Sequence, residues 1–217
     1  MSEVSKKSTV KKVKSKSFPV VAIGASVGGL KAFSELLNNL PKNTGMAYIF
    51  VQHLNPNYKS VLPSILSKTT KMKVQKINDM ELMKPNNVYV IPYNKGIEVT
   101  DGHIKLTPRS KGGSAITIDV LFSSLAETHK ENVIGVVLTG NAHDGTEGLK
   151  AIKDAGGLTL AQDGSAEANS MPQSAIASGV VDFVLSLKGI AKILIQAGEN
   201  GFEGAILNKH RKGVLAE

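Results

Sequence analysis

The feature that most constrains this chain is a set of short apolar runs in which polar residues do not alternate. VVAIG (Val20–Gly24), MAYIFVQH (Met46–His53), NVIGVVLTG (Asn132–Gly140), GGLTLAQ (Gly156–Gln162) and VVDFVLS (Val180–Ser186) are rich in β-branched residues. A strand that is apolar on both sides must be covered on both sides, as in a parallel sheet packed between helices. The intervening segments fit that picture. Leu30, Phe33, Leu36, Leu37 and Leu40 recur at helical spacing, and Pro41 ends the pattern. Further helical patterns cover about 58–67, 119–128, 146–154, 172–178 and 190–197, and a short strand lies near Val74–Ile77. One stretch differs. NNVYVIPYNKGIEVTDGHIKLTP, residues 86–108, is broken by Asn-Lys-Gly and Asp-Gly and reads as antiparallel hairpins. The expected architecture is an α/β fold: a doubly wound, mostly parallel sheet with helices on both faces and an antiparallel hairpin excursion.

Composition narrows the possibilities. With 217 residues, 41% of them hydrophobic, the chain can bury one sizeable core. It contains no cysteine, which excludes disulfides and thiolate metal sites and agrees with a reducing compartment. No stretch approaches the roughly 20 apolar residues that cross a bilayer, and no apolar segment precedes Phe18, so a soluble, cytoplasmic protein is expected. The net charge of +8 is uneven: residues 1–17 hold six lysines and one glutamate, and the body is close to neutral. MSEVSKKSTVKKVKSKS lacks the apolar content to fold alone and has no aromatic residue to stack on bases, so it reads as a solvated leader rather than a nucleic-acid arm. The expected division is a disordered basic leader at 1–17, one domain at 18–201 and a C-terminal tail at 202–217. No repeat interrupts the domain.

In open α/β sheets the ligand crevice lies at the carboxyl ends of the strands. Three strand ends carry reactive groups: Ser26 after the first strand, His53 after the second and Asp144 after VVLTGNAH. A serine hydroxyl needs a base to take its proton, imidazole suits that role near neutral pH, and a carboxylate behind the imidazole fixes its tautomer. Gly24-Ala25-Ser26-Val27-Gly28 also fits G-x-S-x-G, a strand-to-helix turn that pushes the hydroxyl outward. Gly28 and Gly29 allow close backbone approach, and the N–H groups of the following helix would suit an oxyanion.

Other readings compete. A dinucleotide cradle needs G-x-G-x-x-G and an acidic end to the next strand. Here Ser26 takes the middle glycine position and the second strand ends in Gln52-His53. A metal could use His53, His143 and Asp144, but no H-E-x-x-H spacing is present. His103, His129 and His210 read as surface residues. His143 adjoins Asp144, but adjacent side chains ordinarily point apart, and His53 could also be an ordinary strand-end histidine. The conjunction of Ser26, His53 and Asp144 favours catalysis over a tight turn. The other open reading is a non-catalytic module that binds a receptor or partner and retains these residues.

The segments IGASVGG, VQHLNP, VYVIPYNKGIEV, IDVLFSSLAE, IGVVLTGNAHDGTEGLKAIKDAGGLTLAQD and SMPQSAIASGVVDFVL occur in that order. They resemble the catalytic domain of the chemotaxis receptor methylesterase family (CheB), from about Phe18 to Ala197. The resemblance implies hydrolysis of γ-glutamyl methyl esters on chemoreceptors, with release of methanol, and in some members deamidation of receptor glutamines. It implies no cofactor and no metal. The family's serine, histidine and aspartate fall on Ser26, His53 and Asp144, and the associated oxyanion and pocket positions are Val27, Gly28, Asn141 and Met171. Methylated cytoplasmic receptor segments are the implied partners. DGTEGLKAIKDAGG and PQSAIASGVVDFVL look closest to a branch often fused to a receptor methyltransferase domain, a second candidate partner. Neither nucleic-acid binding nor membrane insertion is expected.

The chain departs from the family pattern in places. Val27 stands where many relatives have threonine. Asn141-Ala142-His143 replaces the usual Met-Gly pair and the Asn or Ser after it. Gly-Ser-Ala-Ile-Thr precedes IDVLF where many relatives carry arginine. Longer members add a phosphorylated receiver domain, and nothing before Phe18 reads as one. The expectation is therefore different regulation, or a piece of a larger polypeptide.

Overall fold

The computed structural model describes residues 18–53, 61–92, 95–108, 117–141 and 143–212, with side chains to residue 202. The chain opens with β1 (Val20–Ala25), α1 (Gly29–Asn38), β2 (Ala47–Gln52), α2 (Leu62–Leu66) and β3 (Lys73–Lys76). The middle third holds β4 (Glu81–Leu82), β5 (Asn87–Val90), β6 (Lys95–Thr100), β7 (His103–Pro108) and α3 (Thr117–His129). The last part alternates again: β8 (Val133–Val137), α4 (Thr146–Asp154), β9 (Leu158–Gln162), α5 (Ser170–Ala177), β10 (Phe183–Leu185) and α6 (Leu187–Lys212).

Seven strands form one parallel sheet in the order β10-β9-β8-β1-β2-β5-β3. Its central strands are buried throughout, as uninterrupted apolar runs require. Successive β1 side chains still divide between two cores. Val21, Ile23 and Ala25 pack with Phe33, Leu36 and Leu37 of α1, Leu66 of α2 and Ile190 and Leu194 of α6. Val20 and Ala22 join the opposite core with Leu121 and Phe122 of α3, Leu149 of α4 and Ala175 of α5. Helices thus cover both faces. Phe33 stacks on Phe50 of β2, ring centroids 4.1 Å apart, at the centre of the first core.

A separate three-stranded antiparallel sheet, β4-β7-β6, places Ile97, Val99 and Ile104 in the second core. The β6–β7 turn is Asp101-Gly102, and both residues have positive φ (46° and 75°). This is the mirror-image turn that Asp-Gly favours between twisted strands.

Three expectations need correction. NVYV is not a hairpin strand: β5 lies between β2 and β3 in the parallel sheet, with Val88, Tyr89 and Val90 all buried. Its continuous apolar character was the better guide than the Asn-Lys-Gly that follows it. The helix expected over 58–67 is present only as Leu62–Leu66, residues 54–60 lying outside the described set. The closing helix runs well past Ala197, breaking at Gly201 (φ 71°) and continuing to Lys212, so residues 202–212 remain helical. The leader at 1–17 and the loop at 111–114 lie outside the described residues.

Replacing Phe33 by alanine deletes one ring of a fully buried stacked pair. Urea unfolding should show a loss of about 3–5 kcal/mol, and a loss within experimental error would mean that this core is not packed as described.

Candidate active site

The sheet grows outward from β1 in both directions, through β2 on one side and β8 on the other. At such a reversal the connections leave on opposite faces, and the crevice opens beyond the carboxyl ends of the two strands. Ser26 stands there, directly after β1. Its N–H donates to Thr139 O (2.9 Å), just beyond β8. Its carbonyl accepts from Gly29 N–H (3.0 Å) and from the Gln52 carboxamide (2.9 Å). Thr139, almost fully buried, donates its hydroxyl to Val27 O (2.9 Å) and accepts from Ala168 N–H (2.8 Å). The serine backbone is therefore gripped by Gln52 of β2 and by Thr139 just past β8, and Thr139 is held in turn by the segment leading into α5. Val27 is 48% exposed, and Gly28, in the left-handed region at φ 76°, caps α1. A partial positive charge gathers at that helix start.

Gly140 explains how the β8 side comes so close. A side chain there would lie 2.8 Å from Ser26 Cβ and nearer still to the Met171 sulfur. Gly140 N–H donates to Ala168 O (2.8 Å) and its carbonyl accepts from Met171 N–H (3.0 Å). Met171 is buried, so it shapes the site from beneath Gly140. Asn141 and His143 are exposed, and Ala142 lies outside the described residues.

His53 continues the β1–β2 pairing one residue past Ala25 and Gln52, its N–H donating to Ala25 O (3.1 Å). Neighbouring parallel strands are about 4.8 Å apart, so this register sets His53 beside Ser26. The imidazole Nε2 lies 2.7 Å from Asp144 Oδ2. An ionised carboxylate only accepts, so Nε2 carries the proton and Nδ1 is the nitrogen left to take one. The Asp144 side chain is 1% exposed and that of His53 16%.

Asp144 is held by a device that was not legible in the sequence. Its Oδ2 also accepts from Ile118 N–H (2.8 Å) and its Oδ1 from Asp119 N–H (2.9 Å), two donors in the first turn of α3. Asp119 returns the arrangement. Its Oδ1 accepts from Gly145 N–H (2.9 Å) and Gly148 N–H (2.7 Å) at the start of α4. Gly145 is the capping residue of α4 and has no side chain to serve those donors. Burial, chiefly, and the neighbouring Asp144 charge push the Asp119 carboxyl up to about 6, against the opposing bond from Gly148 N–H. The available signal was an acidic residue in a first helical turn, which by itself reads as ordinary complementarity to the helix dipole.

The remaining histidines are elsewhere. His103 is on β7, its Nδ1 3.0 Å from Asp101 O. His129 closes α3 just before β8, at the other end of the sheet, where burial lowers its pKa. His210 is in the last turns of α6. Among the described residues no group of His, Cys, Asp and Glu side chains is arranged to hold a metal ion.

Comparison with known proteins adds independent information. The profile of the family described as CheB methylesterase matches residues 21–194. A Leptospira interrogans protein, named provisionally as a protein-glutamate methylesterase/protein-glutamine glutaminase, is 36% identical over 189 residues, covering 86% of this chain and 98% of the relative. A protein-glutamate methylesterase/protein-glutamine glutaminase of Yersinia pestis is 33% identical over 188 residues, and this chain spans 54% of its length. The crystal structure of the Thermotoga maritima CheB methylesterase catalytic domain superposes with a TM-score of 0.75 at 32% identity, covering 82% of this chain and 98% of that one.

The raised Asp119 carboxyl makes stability depend on pH. It holds its proton more tightly folded, at about 6, than at the ordinary 3.8, so its contribution is full below 3.8 and is lost as pH rises through 6. The stability of wild type relative to Asp119→Asn should therefore fall between about pH 4 and pH 7. Urea titrations across that range check it, and a constant difference would contradict it.

Proposed function

The chain belongs to the CheB methylesterase family, and from that premise we infer that it hydrolyses γ-glutamyl methyl esters on chemoreceptors through Ser26, His53 and Asp144. The observation that carries the residue assignment is the 2.7 Å bond from His53 to a buried Asp144, made by an imidazole whose backbone is paired beside Ser26.

The steps follow from the groups present. His53 Nδ1 takes the proton of the Ser26 hydroxyl as Oγ attacks the ester carbonyl. Asp144 stabilises the imidazolium that forms without itself taking a proton. The negative charge on the tetrahedral intermediate faces the start of α1, where we assign stabilisation to the Val27 and Gly28 N–H groups, with the exposed Asn141 carboxamide beside them. The imidazolium returns its proton to the departing methoxide. Methanol leaves, and the glutamyl group stays on Ser26 as an ester. Water then enters with His53 again as base, the serine is freed, and the product is a glutamate carboxylate. A glutamine side chain reacts by the same route with ammonia as leaving group, and we extend the proposal to it. No step calls on a metal or a redox cofactor.

Methylated cytoplasmic receptor segments are the proposed substrates, and the cytoplasm the proposed compartment; no helix among the described residues is long and apolar enough to cross a membrane. A receptor methyltransferase domain is a proposed partner. Domain limits of 18–201, with a basic leader and a C-terminal tail, belong to the same reading.

Ser26→Ala should abolish methanol release from methylated receptor while leaving the circular dichroism spectrum unchanged. Asp144→Asn should lower kcat by about 10⁴, the effect of amidating a triad aspartate. His53→Ala should be inactive and His143→Ala close to wild type. A Ser26→Ala protein as active as wild type would overturn the assignment of the nucleophile, whereas a wild type that releases no methanol and takes no serine-directed phosphonate on Ser26 would point to a binding module.

A further inference from the structure

We propose that Asp119 is a positioning residue for this hydrolysis, a second carboxylate that sets both the placement and the basicity of His53 through Asp144. The inference rests on the methylesterase reading of Ser26, His53 and Asp144.

The placement follows from the bonds. Asp144 is gripped through its side chain by the N–H groups of Ile118 and Asp119. The peptide that follows it is gripped by the Asp119 carboxylate through Gly145 N–H. Gly148 N–H ties the same oxygen to the first turn of α4. Asp144 sits between two clamps that share one residue, and it cannot shift toward or away from His53 without breaking bonds made by Asp119.

The charge relation follows from the same contacts. Ionised, Asp119 is a second negative group behind the imidazole and favours the imidazolium. Protonated, it loses that influence, and its hydroxyl can donate to Asp144 and draw the carboxylate away from His53. The first turns of α3 and α4, both aimed at the pair, explain why two carboxylates can stand so close. Among the described residues the other charged groups around Asp119 are few. Glu98 of β6 and Glu127 of α3 line the groove on its outer side, and Glu98 lies 3.7 Å from Lys105. Glu147, in the first turn of α4, is exposed. His53 and Asp144 are on the inner side, and Asp144 is the charged group that raises the Asp119 carboxyl.

The test compares wild type, Asp119→Asn, Asp119→Ala and Ser26→Ala by two readouts: the His53 imidazole titration followed by NMR, and the pH dependence of kcat for methanol release. Asp119→Asn keeps an oxygen for the α4 donors but removes the charge. Its imidazole midpoint should fall by about half a pH unit or more, and the acid limb of kcat should move with it. Asp119→Ala removes the clamp as well, and kcat should drop by about 10²-fold, as expected for a small misplacement of a catalytic group. Should Asp119→Asn fail to fold, Asp119→Ser, which also offers an uncharged oxygen, is read by the same titration. A titration and an acid limb superimposable on wild type would overturn the proposal, as would wild-type kcat in Asp119→Ala. Because the NMR titration needs no turnover, it stands even if wild type releases no methanol, a result that would sink the methylesterase reading alone, or if Ser26→Ala proves as active as wild type, which would sink only the assignment of the nucleophile.

Discussion

The exchange of caps between α3 and α4 is the interaction on which the rest of the site depends. Asp144, from the turn before α4, satisfies donors at the start of α3, and Asp119, from α3, satisfies donors at the start of α4. Each helix thus closes the open end of the other with a carboxylate from outside its own chain segment. Unsatisfied first-turn N–H groups in a buried place are costly, so the two helices, and the strands they cover, are locked in one relation. The carboxylate that faces His53 is a structural cap before it is anything else. On the proposed mechanism, chemistry and stability share the same atoms.

The serine side of the crevice depends on close approach in the same way. The turn after β1 is laid against the end of β8 by Ser26 N–H and by the Thr139 hydroxyl, and absence of a side chain at Gly140 lets Met171 and Ser26 pack from opposite sides. Gln52 ties the Ser26 carbonyl to β2. On the proposed mechanism, a nucleophile held from both neighbouring strand ends loses little freedom when substrate arrives, and proximity of this kind can supply a large part of a rate enhancement. Val27, between Ser26 and Gly28, differs in being exposed.

Much of this was legible beforehand, and the exceptions have a common cause. Uninterrupted apolar runs announced a parallel sheet, and its strand ends singled out Ser26, His53 and Asp144. The same criterion, applied to NVYV, would have put β5 in that sheet. The Asn-Lys-Gly after it is not a hairpin turn, because Lys95 and Gly96 already belong to β6 of the other sheet. Met171 gave no hint in its surroundings that it would be buried under Gly140 rather than open to the crevice. Asp119 looked like any acidic residue at a helix start.

By itself, then, the amino-acid sequence determined the class of sheet, the faces its helices bury and the edge on which a hydroxyl, an imidazole and a carboxylate collect. Those properties follow from what each residue does to its own backbone and from whether it can leave water. The tertiary structure alone decided that Nε2 of His53 meets Asp144 across 91 residues of chain, and that Asp144 and Asp119, 25 residues apart, exchange helix caps. Such pairings depend on where two helix starts come to lie relative to one strand end. Only the packing of the whole sheet fixes that distance, because no local pattern carries information about a partner from a distant segment.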